Sequence, residues 1–140
     1  MATRIVEFSI PGVPVAKGRA RFAKIGNFIR TYTPAKTTSF ENLVKLMYTQ
    51  ASGAEPHDGP VIMEINAYFP CSQKIVKIMK KNPATQIIPM LTRPDADNIA
   101  KAICDGLNGI AYTDDKLVCS LSIHKYYSTT PRTNVYMRFE

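Results

Sequence analysis

Residues 93 to 115 read RPDADNIAKAICDGLNGIAYTDD and hold five of the chain's eleven acidic residues. Asp95 and Asp97 stand one residue apart. Lys101 follows four residues after Asp97, Asp105 another four on, and Asp114 and Asp115 close the stretch beyond Asn108-Gly109. Pro94 disfavours helical geometry at Arg93, so the stretch is expected to start extended, with Asp95 and Asp97 leaving the backbone on the same side. A helix capped by Asp97 or Asn98 then carries Asp97, Lys101 and Asp105 along one face. A strand running back beside that helix from Lys116 brings Asp114 and Asp115 towards the first pair.

Carboxylates gathered in this way repel one another and raise each other's pKa unless cations compensate. A divalent ion is the economical compensation. An all-oxygen ligand set without His or Cys favours Mg²⁺, with Mn²⁺ as a substitute, over zinc. One or two such ions at a phosphodiester activate water and stabilise charge on phosphorus, and an adjacent lysine neutralises charge developing on the phosphate. Taken singly, the same residues also read as an Asx-turn with a helix cap, an i, i+4 salt bridge between Lys101 and Asp105, and a turn at Asp114-Asp115. Their order and spacing as a set favour the metal reading.

The rest of the chain is basic. Eighteen Lys and Arg against eleven Asp and Glu in 140 residues give a formal charge of +7, which favours a polyanion, nucleic acid first, as partner. The length suits one domain. No apolar run long enough to span a membrane and no signal-peptide layout occurs, so a soluble protein of the cytoplasm is expected. Cys71, Cys104 and Cys119 are odd in number, widely spaced and without a zinc pattern, and read as free, mostly buried thiols.

Around the acidic stretch, hydrophobic periodicity predicts strands over residues 4–10, 61–69, 117–123 and 135–139, and helices from Thr37 to Ala51, over 72–81 before Pro83, and from about Asp97 to Leu107. Ser-Thr-Thr-Pro-Arg-Thr is expected to join the last two strands as a hairpin loop. The class is α+β: a single domain, residues 1–140, with a small mixed sheet of about four strands and two or three packed helices.

The segment VAKGRARFAKIGNFIRTYTP suits a mobile loop or irregular ribbon. Its cations Lys17, Arg19, Arg21, Lys24 and Arg30 are candidate phosphate contacts, as is Arg93, and Phe22, Phe28 and Tyr32 are placed either to stack on unpaired bases or to pack onto the sheet. Lys74, Lys77, Lys80 and Lys81 line one side of the second helix as a further phosphate track or a plain solvated face. His57 and His124 read as a surface-loop residue and an exposed strand residue.

The stretch resembles the RusA family of Holliday junction resolvases, carried mainly by bacteriophages and prophages. The family pattern [KR]-P-D-x-D-N-x-x-K-x-x-x-D-x-L-x-G followed by D-D is met by Arg93, Pro94, Asp95, Asp97, Asn98, Lys101, Asp105, Leu107, Gly109, Asp114 and Asp115. The opening I-x-G-x-P-x-x-K-x-R-x-R is present as Ile10, Gly12, Pro14, Lys17, Arg19 and Arg21. Residues 37–90 match only in element order. The resemblance implies a Mg²⁺-dependent homodimer that cuts four-way DNA junctions by paired symmetric nicks. Asp95, Asp97 and Asp115 would be the catalytic metal ligands and Lys101 the catalytic lysine, with Asp114 a neighbour sharing the role and Asp105 structural. A nuclease of broader branched DNA, such as flaps and forks, and a non-catalytic DNA-binding protein are the alternatives.

Overall fold

Strict alternation makes the sheet. Val61, Met63, Ile65, Ala67 and Phe69 all turn to one face and are buried, as are Thr133, Val135, Met137 and Phe139 three strands later in the chain. The fold comes from a computed structural model that describes residues 3–82 and 87–140. Its strands are β1 (Arg4–Pro11), β2 (Arg21–Ile25), β3 (Phe28–Tyr32), β4 (Val61–Pro70), β5 (Ile88–Pro89), β6 (Val118–Ser128) and β7 (Arg132–Phe139). Its helices are α1 (Ala35–Ala51), α2 (Gln73–Lys81) and α3 (Ala96–Leu107), with a short 3-10 turn at Asp115–Leu117.

Five strands form one mixed sheet in the order β1-β7-β4-β6-β5, and β2 and β3 form a separate antiparallel pair. Helices α1 and α3 pack together over the face that carries the buried alternation, with Phe40, Val44 and Tyr48 of α1 and Ala102, Ile103 and Leu107 of α3 in one core. Ile99, in the first half of α3, anchors a smaller cluster with Ala67, Phe69 and Met90. The α+β class and the single sheet-and-helix layer stand as expected.

Three local expectations need correction. The strands β6 and β7 are not a hairpin: β4 lies between them, parallel to β6 and antiparallel to β7. A short connection fixes reach, not adjacency, and the most apolar strand takes the centre because only there are both neighbours available to shield it. The segment after β1 is not wholly irregular, since β2 and β3 pair from Arg21↔Tyr32 to Ile25↔Phe28. Gly26, at φ +60°, opens the Gly-Asn turn between them, as a two-residue hairpin requires. The sheet itself has five strands rather than four, because Ile88 and Pro89 pair with Tyr127 and Tyr126.

Helix α2 follows Ser72, whose Oγ accepts the Ile75 N–H at 3.3 Å, and buries Ile75 while Lys74, Lys77, Lys80 and Lys81 face solvent. Pro83, the expected stop of that helix, lies outside the described residues. All three cysteines are free; Cys71 and Cys104 are half-buried and Cys119 is exposed, against the expectation of burial, at the point where the register between β4 and β6 shifts from Val61↔Val118 to Ile62↔Ser120 and leaves Cys119 without a partner on β4. No helix is long and apolar enough to cross a membrane among the described residues.

Candidate active site and nucleic-acid interface

The mouth of α3 is built by β6. Lys125 accepts the Met90 N–H on its carbonyl at 3.0 Å, and its Nζ donates to the carbonyls of Thr92 at 2.7 Å and Pro94 at 2.8 Å. One lysine thus pins the turn that delivers the chain into the helix. Asp95 is the N-cap residue, in extended conformation at φ −69°, ψ 145°, and its carbonyl accepts the Ile99 N–H.

The helix therefore begins two residues earlier than the sequence suggested, and Asp97 sits in its first turn rather than capping it. The restriction imposed by Pro94 reaches only Arg93, and an acidic residue in a first turn is favoured by the partial positive charge of the helix end. Asp95 and Asp97 are accordingly not an in-line extended pair. The Asp95 side chain makes no capping hydrogen bond, which removes the simplest structural explanation for its carboxylate. Both carboxylates are exposed, and an open cleft of about 680 Å³ at this mouth is lined by Arg19, Arg93, Pro94, Asp95 and Asn98. Two guanidiniums and a carboxylate around one cleft suit a phosphate approached by a cation.

Roughly two to three turns along α3 from Asp95 lies a second cluster. Lys101 Nζ stands 3.7 Å from Asp105 Oδ2, and Lys17 Nζ reaches the same oxygen at 3.1 Å and Glu41 Oε1 at 2.6 Å. Burial pulls the Lys17 pKa down, but its hydrogen bonds to Glu41 and Asp105 and their charges outweigh that, so the ammonium is held above its ordinary value. Lys17 thus differs from Arg19, Arg21, Lys24, Arg30 and Arg93, all of which are exposed. It fastens the base of the basic segment to α1 and α3, with its backbone N–H donating to Asn98 O at 2.8 Å. Glu41 was not singled out in the sequence; its signal is that it is the one acidic residue between Glu7 and Glu55.

Replacing Lys17 with Met leaves two neighbouring carboxylates without their shared cation. The expected loss is about 1–3 kcal/mol of stability, the scale of hydrogen bonds to charged groups. Arg19→Ala should leave stability unchanged. Urea unfolding of the two variants checks this, and equal midpoints would remove Lys17 from the structural role.

The loop carrying Asp114 and Asp115 is held from inside. Tyr112 is fully buried and its hydroxyl donates to Cys104 O at 2.7 Å, while the backbones of Ala111 and Thr113 bond to that of His57. Asp114 Oδ1 accepts the Lys116 N–H at 3.0 Å. That bond, and a second from the Asp115 carboxyl, hold Asp114 below the usual carboxylate range. Asp115 moves the other way: its partial burial comes first, then the hydrogen bond to Asp114 and the negative charges of Asp114 and Asp105, with Lys101 opposing. Asp115 is therefore the weaker acid of the pair.

The structure thus brings Asp115 to Asp114, Asp105 and Lys101, and places Asp95 with Arg19 and Arg93. Among the described residues no three Asp, Glu, His or Cys side chains close around a point that could hold a metal ion. The donor set nevertheless fits a hard dication in its chemistry, being all carboxylate oxygen on exposed side chains. The negative charges of Asp114 and Asp105 that help to raise Asp115 are what a cation would offset.

The basic segment projects as the β2–β3 hairpin. Phe22 is 72 % and Phe28 79 % exposed, so these aromatics do not pack onto the sheet. His57 bonds through Nε2 to Glu140 O at 2.8 Å, and His124 stacks on Tyr126 and stands 3.8 Å from Glu64 Oε1; no bond joins either to the aspartates of the 95–115 stretch among the described residues.

Comparison with known proteins identifies the family. The family model described as Endodeoxyribonuclease RusA matches residues 11–138. A Bacillus subtilis (strain 168) protein bearing the name Uncharacterized protein YqaN is 33 % identical over 135 residues, covering 95 % of each chain. The match spans the basic hairpin, the mouth of α3 and the Asp114-Asp115 loop together, and the chain belongs to the RusA family of endodeoxyribonucleases.

Proposed function

We propose that the protein resolves four-way DNA junctions by paired symmetric nicks, as a homodimer whose carboxylates hold Mg²⁺. Family membership marks it as a junction-resolving endonuclease. The observation that carries the finer reading is the cleft in which Arg19 and Arg93 flank Asp95 at the start of α3, with Lys101 roughly two turns and Asp105 roughly three turns further along the same helix. Asp95, Asp97 and Asp115 would hold the ion, with Asp114 beside them; Mn²⁺ would substitute. When bound, the ion supplies Lewis-acid chemistry to the phosphodiester. The chain's own share is to fix the phosphate between two guanidiniums and to place the Lys101 ammonium, whose side chain is 61 % exposed, where negative charge grows on phosphorus.

Titrating Mg²⁺ over a synthetic four-way junction, with a flap, a fork and a duplex in parallel, tests the reading. Metal-dependent nicks confined to the junction are expected. Equal rates on flaps and forks would make it a broader branched-DNA nuclease, and binding without nicks at any metal concentration would make it a binding protein. A bacterial cytoplasm, that of the host if the gene is phage-borne, fits such a substrate.

The free edge of β6 supports the dimer. Its partner β5 covers only Tyr126 and Tyr127, and among the described residues Val118 to His124 have no strand on that side. This stretch, VCSLSIH, carries no Lys, Arg, Asp, Glu or Pro, the usual guards of an exposed edge. Leu121 is 44 % exposed along it, and Leu91, just past Met90, is 90 % exposed. Antiparallel pairing of this edge with its copy makes one continuous sheet and an isologous contact, and gives a two-fold junction two equivalent sites. Leu121→Lys is expected to yield monomers by sedimentation and to convert paired nicks into single, uncoupled ones. A coupled dimer in that variant would place the interface elsewhere.

A further inference from the structure

Beside the cleft at the mouth of α3 lies a second one of about 620 Å³, and the two share Arg19 and Pro94 as a common wall. Their linings differ. Val15, Ala16 and Phe69 give the second an apolar floor with Val13 at its rim, Arg19, Arg21 and Lys36 stand at its sides, and no acidic residue lines it. Its size falls in the range of about 300–1,000 Å³ usual for small-molecule sites.

The walls are built rather than loose. The Lys17 N–H donates to Asn98 O at 2.8 Å, tying the loop to α3, and the Gly18 N–H donates to Thr37 Oγ1 at 3.0 Å, tying it to α1. Thr37 is buried. A Cβ at Gly18 would meet Pro34 Cγ at 2.9 Å and Thr37 Oγ1 at 3.0 Å, so the loop closes on α1 as tightly as a residue without a side chain permits. The salt bridges of Lys17 to Glu41 and Asp105 brace the same turn.

We propose that this pocket takes one unstacked nucleobase of the substrate strand, next to the phosphate held between Arg19 and Arg93. The inference rests on the reading of the neighbouring cleft as the cutting site and deepens it. A base presents an apolar face and is joined through one sugar to its phosphate, so an apolar pocket sharing a wall with a cationic cleft matches the layout of a single nucleotide. The three cations and the lack of any acid around it select an occupant carried on a polyanion. Extracting a base from a stack costs free energy, and costs least where stacking is already broken, as at a branch point. Selectivity for branched DNA, and for base identity beside the cut, then originates in this pocket and not at the carboxylates.

The test scans a four-way junction with a single abasic nucleotide placed in turn at each position flanking the cut. At one position the loss of the base should slow cleavage about tenfold, the scale of one base's stacking contacts. Ala16→Leu, which fills the floor, should slow the intact junction by a similar factor and abolish the penalty at that abasic position. Val13→Gln, at a half-exposed rim residue, should act in the same direction and serves if the first variant fails to fold. In parallel, 2-aminopurine at the sensitive position, or at each flanking position if none is sensitive, is followed on binding with Ca²⁺ in place of Mg²⁺. Its emission should rise with the wild type and not with either variant. Full cleavage with a flat abasic scan overturns the pocket and leaves the nuclease standing, as does an abasic penalty that both variants retain. If the wild type cuts nothing, the cutting site falls. In that case a 2-aminopurine rise lost in the variants upholds the pocket, and a flat signal overturns it.

Discussion

Asp97→Asn is expected to abolish cleavage of a four-way junction while leaving the junction bound as tightly as before, or more tightly. The carboxylate stands in the first turn of α3, one residue past the helix start and exposed, between Asp95 and Asn98 in the chain, which line the cleft together with Arg19 and Arg93. Losing a ligand that helps hold the ion removes several kcal/mol of transition-state stabilisation, so a fall of at least about 10³-fold in rate is expected. Binding moves the other way, since one negative charge near the phosphate has gone. Asp95→Asn and Asp115→Asn should behave alike, whereas Asp105→Asn should show the stability loss of a disturbed Lys17 network. Single-turnover cleavage and gel-shift titration with the four variants check this. Retained cleavage in the first three would dissolve the carboxylate site.

Neutralising Arg19, Arg21, Lys24 and Arg30 together should act on binding and leave the fold alone. All four are exposed, three of them on the β2–β3 hairpin, and no acidic residue lies between Glu7 and Glu41 to offset them. An isolated two-stranded hairpin is at best marginally stable in water, and this one exposes Phe22, Ile25, Phe28 and Ile29, so it is suited to being held by what it binds. If each cation neutralises one phosphate, the slope of log affinity against log salt should flatten by about 3.6 units, worth roughly 10²-fold between 50 and 200 mM salt. Lys17 is left out of this set because its charge is engaged by Glu41 and Asp105. An unchanged salt slope, measured by fluorescence anisotropy with a labelled junction, would remove the hairpin from the interface.

The two outcomes separate because the structure separates the groups. The carboxylates proposed to hold the ion sit on α3 and the loop before β6, while the cations proposed to meet the DNA backbone sit mainly on an arm that Lys17 and Gly18 tie to α1 and α3. A variant in one set that produced the phenotype of the other would show that the arm and the helix mouth move as one.

How far the sequence could be read depended on whether the information was local. The alternation in β4 and β7 and the 3.6-residue spacing in α1 and α3 are properties of short windows, so these elements, the α+β class and the acidic stretch itself were legible. The hairpin has a local signal as well, Gly26-Asn27 between two short β-prone runs, but five cations and two glycines in the same segment are equally compatible with an irregular loop. What lay beyond local reading was pairing at a distance: β4 inserted between β6 and β7, Lys17 drawn to Glu41 and Asp105, and Arg19 brought to the same cleft as Asp95. Such contacts are selected by the burial of the whole sheet under α1 and α3, and no window of the chain contains the free energy of that choice. The residue types determined which chemistry was possible, and the packing of helices on the sheet decided which residues stand together to do it.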